Sequence, residues 1–193
     1  MSEKLLGVVL CGGKSSRMGR DKSLLGHPDG GTYLDQAVKR LSDVCGEVCI
    51  AGTQDQNESS IVPFLVDPVL YQGPVVGIVN GLLFAQQQSC DACLVLAVDM
   101  PVVVGADLRN LKDAWLANRQ SCPDEVICGL CDTDRIQPLL AIYPVGVLKD
   151  LQRLAGSADR SLFRWIKTVP HRTVSLSATS CVNVNSPDDL PLQ

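Results

Sequence analysis

The stretch that could do chemistry is "VVLCGGKSSRMGRDK", Val8 to Lys22. An apolar run leads into Gly12 and Gly13, and Arg17, Arg20 and Lys22 follow within one short loop. Glycine carries no Cβ, so backbone N–H groups there can approach phosphate oxygens closely. Arg17 offers those oxygens a planar fork, and Lys22 a mobile point charge. The spacing is neither G-x-x-x-x-G-K-[ST] nor G-x-G-x-x-G, yet it serves the same physics of anion binding. A solvated loop is the plain alternative. Gly-Gly alone would not displace it; Gly-Gly with Arg17, Gly19 and Lys22 directly after a strand does.

Two carboxylates belong with this loop. Asp99 follows the apolar run "CLVLAV" and precedes Met100-Pro101. A carboxylate at the end of a buried strand is costly unless something cationic pairs with it. A divalent metal is the usual partner where phosphates are handled. Asp67 ends its own strand in the same way, before "PVLYQGPVVG". A turn-forming aspartate would explain either one in isolation. Together with the basic loop, the two read as a metal-nucleotide site. The chain has only two histidines, His27 and His171, neither of them in a motif. A histidine-driven hydrolase is thereby disfavoured, as is a G-x-S-x-G nucleophile. Phosphoryl and nucleotidyl transfer need chiefly positioning and charge neutralisation, which this inventory can supply.

The elements that must position these groups alternate along the chain. Strands are expected at 4–11, 47–52, 62–67, 92–101, 124–131, 136–144 and 171–177. Helices are expected at 32–44, 73–87, 106–120, 145–155 and 159–167, with a short one starting at Ser186 or Pro187. The polar stretch "TQDQNESS" reads as a loop. "ACLVLAVDMP" is the most apolar strand and should be central. Strand alternating with helix predicts an α/β fold: a doubly wound, mostly parallel, Rossmann-like sheet. Two strands in succession after residue 124 predict one antiparallel member. No linker or repeat interrupts the chain, so residues 1–193 read as a single domain. In such a sheet ligands sit beyond the carboxyl ends of the strands, which selects the loop 11–22, Asp67, Asp99 and "VNVN" (182–185).

Bulk composition excludes other classes. The net charge of −4 leaves no global basic field for nucleic acid or a membrane surface. No apolar run approaches the ~18 residues of a membrane span. "MSEKLLGVVLC" mimics a signal peptide, but its apolar run stops at Cys11 without a small-residue cleavage site, so it reads as a strand. The cytoplasm is the expected compartment. Nine cysteines over 193 residues do not look like a disulfide framework and are expected as buried free thiols. Cys90/Cys93 and Cys128/Cys131 form two C-x-x-C pairs, which raises zinc or redox chemistry as a competing reading. The 34 residues between the pairs exceed ribbon spacing. On a strand, Cys128 and Cys131 would point to opposite faces and could not share a metal.

"LCGGKSSRMGRDK" resembles the signature loop of MobA-type molybdenum-cofactor guanylyltransferases, whose pattern runs L-x-G-G-x-S-x-R-M-G-x-D-K. The resemblance continues in "DPVLYQGPVVGI", "AVDMP", "RIQPLLAIY" and "VNVNSPDDL", in the family's order over nearly the whole chain. It implies a nucleotide-diphosphosugar-transferase-like fold. It also implies a reaction in which the terminal phosphate of molybdopterin attacks the α-phosphorus of GTP, giving molybdopterin guanine dinucleotide and pyrophosphate. Carried over by position, Leu10, Cys11, Gly12 and Gly13 would line the guanine and phosphate pocket. Arg17 and Lys22 would hold the triphosphate, Asp67 would contact the nucleoside, and Asp99 would bind Mg2+. Asn183 and Asn185 match the family's paired asparagines near the pterin. The resemblance further implies partners among cofactor-biosynthesis and acceptor proteins. Cys11 stands where the family usually has alanine, and "AGTQDQNESS" lacks the asparagine that some members place after the second strand. The competing readings are a cytidylyl- or sugar-nucleotidyltransferase, and a non-catalytic nucleotide-binding module.

Overall fold

The computed structural model describes residues 4–11, 22–28, 30–52, 62–67, 73–131 and 134–182. Seven strands run as β1 (Leu5–Cys11), β2 (Glu47–Gly52), β3 (Phe64–Val66), β4 (Ala92–Ala97), β5 (Val126–Cys131), β6 (Arg135–Pro144) and β7 (His171–Ser175). Five helices separate them: α1 (Tyr33–Ser42), α2 (Pro74–Gln87), α3 (Gly105–Asn118), α4 (Leu148–Gly156) and α5 (Leu162–Ile166). The strands form one sheet in the order β3-β2-β1-β4-β6-β5-β7, so β4 is central, as its apolar sequence implied.

The middle of this sheet is covered on both faces. Along β1, Leu5, Val9 and Cys11 pack on the side of α1 and α3, with Leu41, Leu108 and Leu111. The alternate residues Leu6, Val8 and Leu10 pack on the other side with Val75, Ile78 and Leu82 of α2. Every residue of β1 and β4 is buried, which is why both read as unbroken apolar runs rather than alternating ones. Helix α2 comes unusually close. A Cβ at Gly77 would lie 2.9 Å from Leu10, and one at Gly81 2.9 Å from Val8. Two glycines four apart thus let the helix rest on β1.

β6 is the reversed strand, antiparallel to both β4 and β5, while the remaining pairs are parallel. Only three residues join β5 to β6, too few for a parallel crossover. The expected antiparallel member is therefore β6. Some boundaries differ from expectation. β4 ends at Ala97 rather than at 101; Val98 N–H still donates to the Leu10 carbonyl (3.1 Å), and Met100 N–H then closes a turn on the Ala97 carbonyl (3.1 Å). The helix expected at 159–167 contracts to Leu162–Ile166, capped by Ser161. The short helix expected from Ser186 or Pro187 lies outside the described residues.

The cysteines require a correction. Seven are free thiols, six of them buried and Cys122 exposed, but Cys131 and Cys181 form a disulfide with Cα atoms 5.9 Å apart. The strand geometry brings them together: β5 ends at Cys131, and the turn Thr179–Cys181 after β7 comes back over that end. Cys128 and Cys131 do face opposite sides of the sheet. Among the described residues no group of three or more His, Cys, Asp or Glu side chains could hold a metal. Burial pushes the thiols of Cys45, Cys49 and Cys128 up to about 12, which makes them poor ligands and nucleophiles. Among those residues no helix is long and apolar enough to cross a membrane.

The disulfide closes a loop with a sequence separation of 50. In the chain-entropy picture such a cross-link is worth about 4 kcal/mol through the unfolded state. Cys181→Ser is accordingly expected to lower the denaturant-extrapolated stability by ~2–4 kcal/mol under oxidising conditions. Under a thiol reductant the variant and the unaltered chain should converge. Equal stability of the two in oxidising buffer would show that the bond contributes nothing.

Candidate active site

Parallel strands put all their carboxyl ends on one edge, and four of the sequence-derived positions can be located there. Leu10 and Cys11 end β1 and are buried, Cys11 completely. Gly12, Gly13 and Arg17, in the loop that follows, lie outside the described residues. Lys22 opens a short 3-10 turn, Lys22–Leu24; its side chain is also outside what is described. Asn183 and Asn185 lie outside too, immediately beyond Val182.

Asp67 follows β3, the edge strand. Its backbone N–H donates to the Gly52 carbonyl at 2.8 Å. Its half-buried carboxylate accepts a hydrogen bond from Asn80 of α2, with Nδ2 and Oδ1 2.9 Å apart. Loss of solvent raises the carboxyl pKa above the usual aspartate value, and the Asn80 bond partly offsets this. Asp99 sits in the turn beyond β4, partly exposed, on the wall of a cleft of about 570 Å³. Since β2 and β1 lie between β3 and β4, three strand spacings separate the two strand ends, roughly 14 Å. That span suits an extended nucleotide laid across the end of β1, with Asp67 at one end and Asp99 at the other.

The cleft continues on the far side of Asp99 with residues that the sequence reading did not single out. Arg135 and Gln137 come from β6, Arg160, Ser161 and Phe163 from the start of α5, and Pro74 from the first turn of α2. The rule used on the sequence searches the carboxyl ends of strands. Because β6 is reversed, its beginning lies on that edge, so the rule passes over Arg135. The antiparallel member expected after residue 124 is this strand, and extending the rule to its beginning reaches Arg135.

The segment carrying Arg160 is tightly organised. The Asp159 carboxylate accepts from Arg164 Nε at 2.7 Å and from the Ser161 N–H at 3.1 Å, and a second guanidinium nitrogen of Arg164 completes a fork. The hydrogen bonds from Arg164 hold the Asp159 carboxyl below the usual aspartate range. Ser157 Oγ donates to the Asp159 carbonyl at 2.6 Å, and Arg160 Nε to the Ser157 carbonyl at 3.2 Å. Arg135 and Arg160 thus line the same cleft as Asp99. Gly73, just before Pro74, has φ +88°, a conformation that a side chain would strain. The two histidines do other work. His27 packs edge-on against Tyr33, and His171 Nδ1 donates to the Val169 carbonyl at 3.0 Å.

The family model described as "MobA-like NTP transferase domain" matches residues 7–174. A protein of Rhodopirellula baltica named probable molybdenum cofactor guanylyltransferase is 38% identical, over 96% of this chain and 90% of its own length. One of the same name from Chloroflexus aggregans is 31% identical, over 96% and 91%. Among solved structures, molybdopterin-guanine dinucleotide biosynthesis protein A from Archaeoglobus fulgidus superposes with TM-score 0.73 at 22% identity, covering 95% of this chain and 94% of its own. A CMP:2-keto-3-deoxy-manno-octonic acid synthetase complexed with CTP reaches TM-score 0.74 at 16% identity, covering 96% and 94%. At those identities the two structures speak for the fold alone. With a family match over most of its length and relatives above 30% identity across nearly all of it, the chain belongs to the MobA-like NTP transferases.

Proposed function

We propose that this chain, as one domain over residues 1–193, is a molybdenum cofactor guanylyltransferase. It transfers GMP from GTP to the terminal phosphate of molybdopterin. The observation that carries the reading is the order of groups along the carboxyl edge of the sheet: Asp67, then the end of β1, then Asp99, then the arginine-lined cleft. A nucleotide donor has its place on one side of Asp99 and an anionic acceptor on the other. The reaction site is where they meet.

In this scheme a phosphate oxygen of the acceptor forms a bond to the α-phosphorus of GTP. The bond from that phosphorus to the bridging oxygen breaks, and pyrophosphate leaves with the electron pair. The attacking oxygen is already anionic, so no general base is required. Gly12 and Gly13 give the phosphates backbone N–H groups at close range, and Arg17 and Lys22 offset their charge. Asp67 meets donor groups of the nucleoside. Arg135 and Arg160 hold the acceptor's phosphate, and Asn183 and Asn185 its pterin. Asp99 suits a hard cation: it is one carboxylate on a cleft wall, with no three-ligand cluster among the described residues. Mg2+, which typically takes one or two carboxylates plus substrate phosphates, fits that donor set, whereas zinc does not. When bound, the ion would supply charge neutralisation between the two phosphates and on the departing pyrophosphate. The working compartment in this reading is the cytoplasm, where the Cys131–Cys181 pair would stand largely reduced. The product would pass to acceptor proteins that use the dinucleotide cofactor.

Incubation with labelled GTP, Mg2+ and molybdopterin is expected to give a guanylated pterin and pyrophosphate. CTP in place of GTP should give little. Preference for CTP would move the assignment to the cytidylyl branch. Lys22→Ala and Asp99→Ala should each leave a folded protein with transfer reduced at least ~100-fold, and near-normal rates in either variant would refute that residue's role. Arg160→Ala should raise the KM for the pterin about tenfold, the size of one charge-assisted hydrogen bond, with GTP affinity preserved.

Asp67→Asn separates binding from stability. The folded-state pKa of Asp67 is raised, so ionising it costs more in the folded than in the unfolded chain, and the carboxylate is a net burden above that pKa. The variant should therefore melt no lower than the unaltered chain at pH 7.5. Any advantage should fade as pH falls through the raised pKa, while GTP affinity at pH 7.5 drops with the loss of the carboxylate. A clear loss of stability at pH 7.5 would mean that the carboxylate is a structural anchor instead.

A further inference from the structure

We propose that Asn80 is a positioning residue for the nucleotide, acting through Asp67 by turning its carboxylate toward the nucleoside. The inference rests on the donor-side reading of Asp67 above. Three observations carry it. First, Asn80 Nδ2 donates to Asp67 Oδ1 at 2.9 Å across 13 residues of chain, from the middle of α2 to the end of β3. A carboxylate is planar and accepts only. Engaging one oxygen from a fixed helix sets the rotation of the group and leaves Oδ2 to define a second direction. Second, the peptide beneath it is fixed as well, since the Asp67 N–H is bonded to the Gly52 carbonyl at 2.8 Å. Third, the helix that delivers the amide is itself held at close range. Gly77 and Gly81, on either side of Asn80 in sequence, rest against Leu10 and Val8 of the very strand that leads into the phosphate loop.

The amide is also the right chemical group for this place. A half-buried carboxylate needs a donor to remain an acceptor for ligand hydroxyl or amino groups. A lysine or arginine there would satisfy it too, but would compete with the ligand for the same oxygens and add charge beside the base. A neutral amide stabilises the ionised form and leaves the remaining lone pairs for the nucleoside. The sequence has no asparagine directly after β2; the amide reaches this region from α2.

The test is a double-mutant cycle read by binding. GTP affinity is measured by calorimetry for the unaltered chain, Asn80→Ala, Asp67→Ala and the double variant, with inorganic tripolyphosphate as a second ligand that has no nucleoside. Asn80→Ala is expected to weaken GTP about tenfold, the size of one hydrogen bond to a charged group, and to leave tripolyphosphate within twofold. Its steady-state KM for GTP should rise by the same factor while kcat holds. In the Asp67→Ala background the second substitution should cost nothing more, because its effect runs through the carboxylate. Unchanged GTP affinity in Asn80→Ala overturns the proposal, as does full additivity in the cycle. Parallel weakening of tripolyphosphate also overturns it, since the residue would then be holding the site together as a whole. If the unaltered chain binds GTP but guanylates no pterin, the proposed function fails while the Asn80 result stands by itself. If transfer proceeds and Asn80→Ala binds GTP normally, only the positioning role falls.

Discussion

Burial of β1 and β4 on both faces is the constraint from which the rest follows. A strand covered by helices on either side can carry no charge along its length, because neither face offers a solvated or paired position. Leu5–Cys11 and Ala92–Ala97 obey this completely. Every polar group that these segments contribute to chemistry must therefore appear where the strand stops, and with parallel strands those stops share one edge. Cys11 and the turn that carries Asp99 lie on the same edge because β1 and β4 are hydrogen-bonded partners, not because of any attraction between charged groups. The apolar pattern does the positioning, and the charges ride on it.

The same logic explains what could be read from the chain and what could not. The apolar runs identified the strands, and the glycine-rich basic loop and the two aspartates stood out because each directly follows such a run. Arg135 did not stand out, since it opens a reversed strand instead of closing a parallel one. Arg160 was hidden by distance: it lies in a connection that only α5 and the Asp159 clamp bring to the cleft. Asn80 did not stand out either, as a polar residue set among the apolar ones of α2. Its partner is set by the short edge strand β3 and the close seat of α2 on β1, neither of which has a local signature. The Cys131–Cys181 bond was missed for a similar reason, as the two residues meet only through the pairing of β5 with β7.

Electrostatics then divides the edge into two halves. On the β3 side the described charge is a desolvated carboxylate, held ionisable by a neutral amide. On the β6 side two guanidinium groups line the cleft. A polar nucleoside, rich in donors, suits the first half; a phosphate monoester suits the second. In the proposed reaction the triphosphate would span the two halves over the end of β1. A ligand placed the other way round would set phosphate against Asp67 and hydroxyls against arginine, leaving both halves poorly paired. Under the proposed function the arrangement would thus set direction as well as affinity.

The described residues around the cleft also bear on the kind of transfer proposed. A double displacement requires an enzyme nucleophile that can be activated. Among the described cleft residues the one hydroxyl is that of Ser161, and its oxygen caps α5 by accepting from the Arg164 N–H at 3.3 Å. Among the described residues no thiol or imidazole lines the cleft; Cys11, the cysteine at the end of β1, is completely buried. What remains are groups that orient and neutralise. Two anionic reactants held in line by such groups can exchange a phosphoryl bond directly, with inversion at phosphorus and no covalent enzyme intermediate.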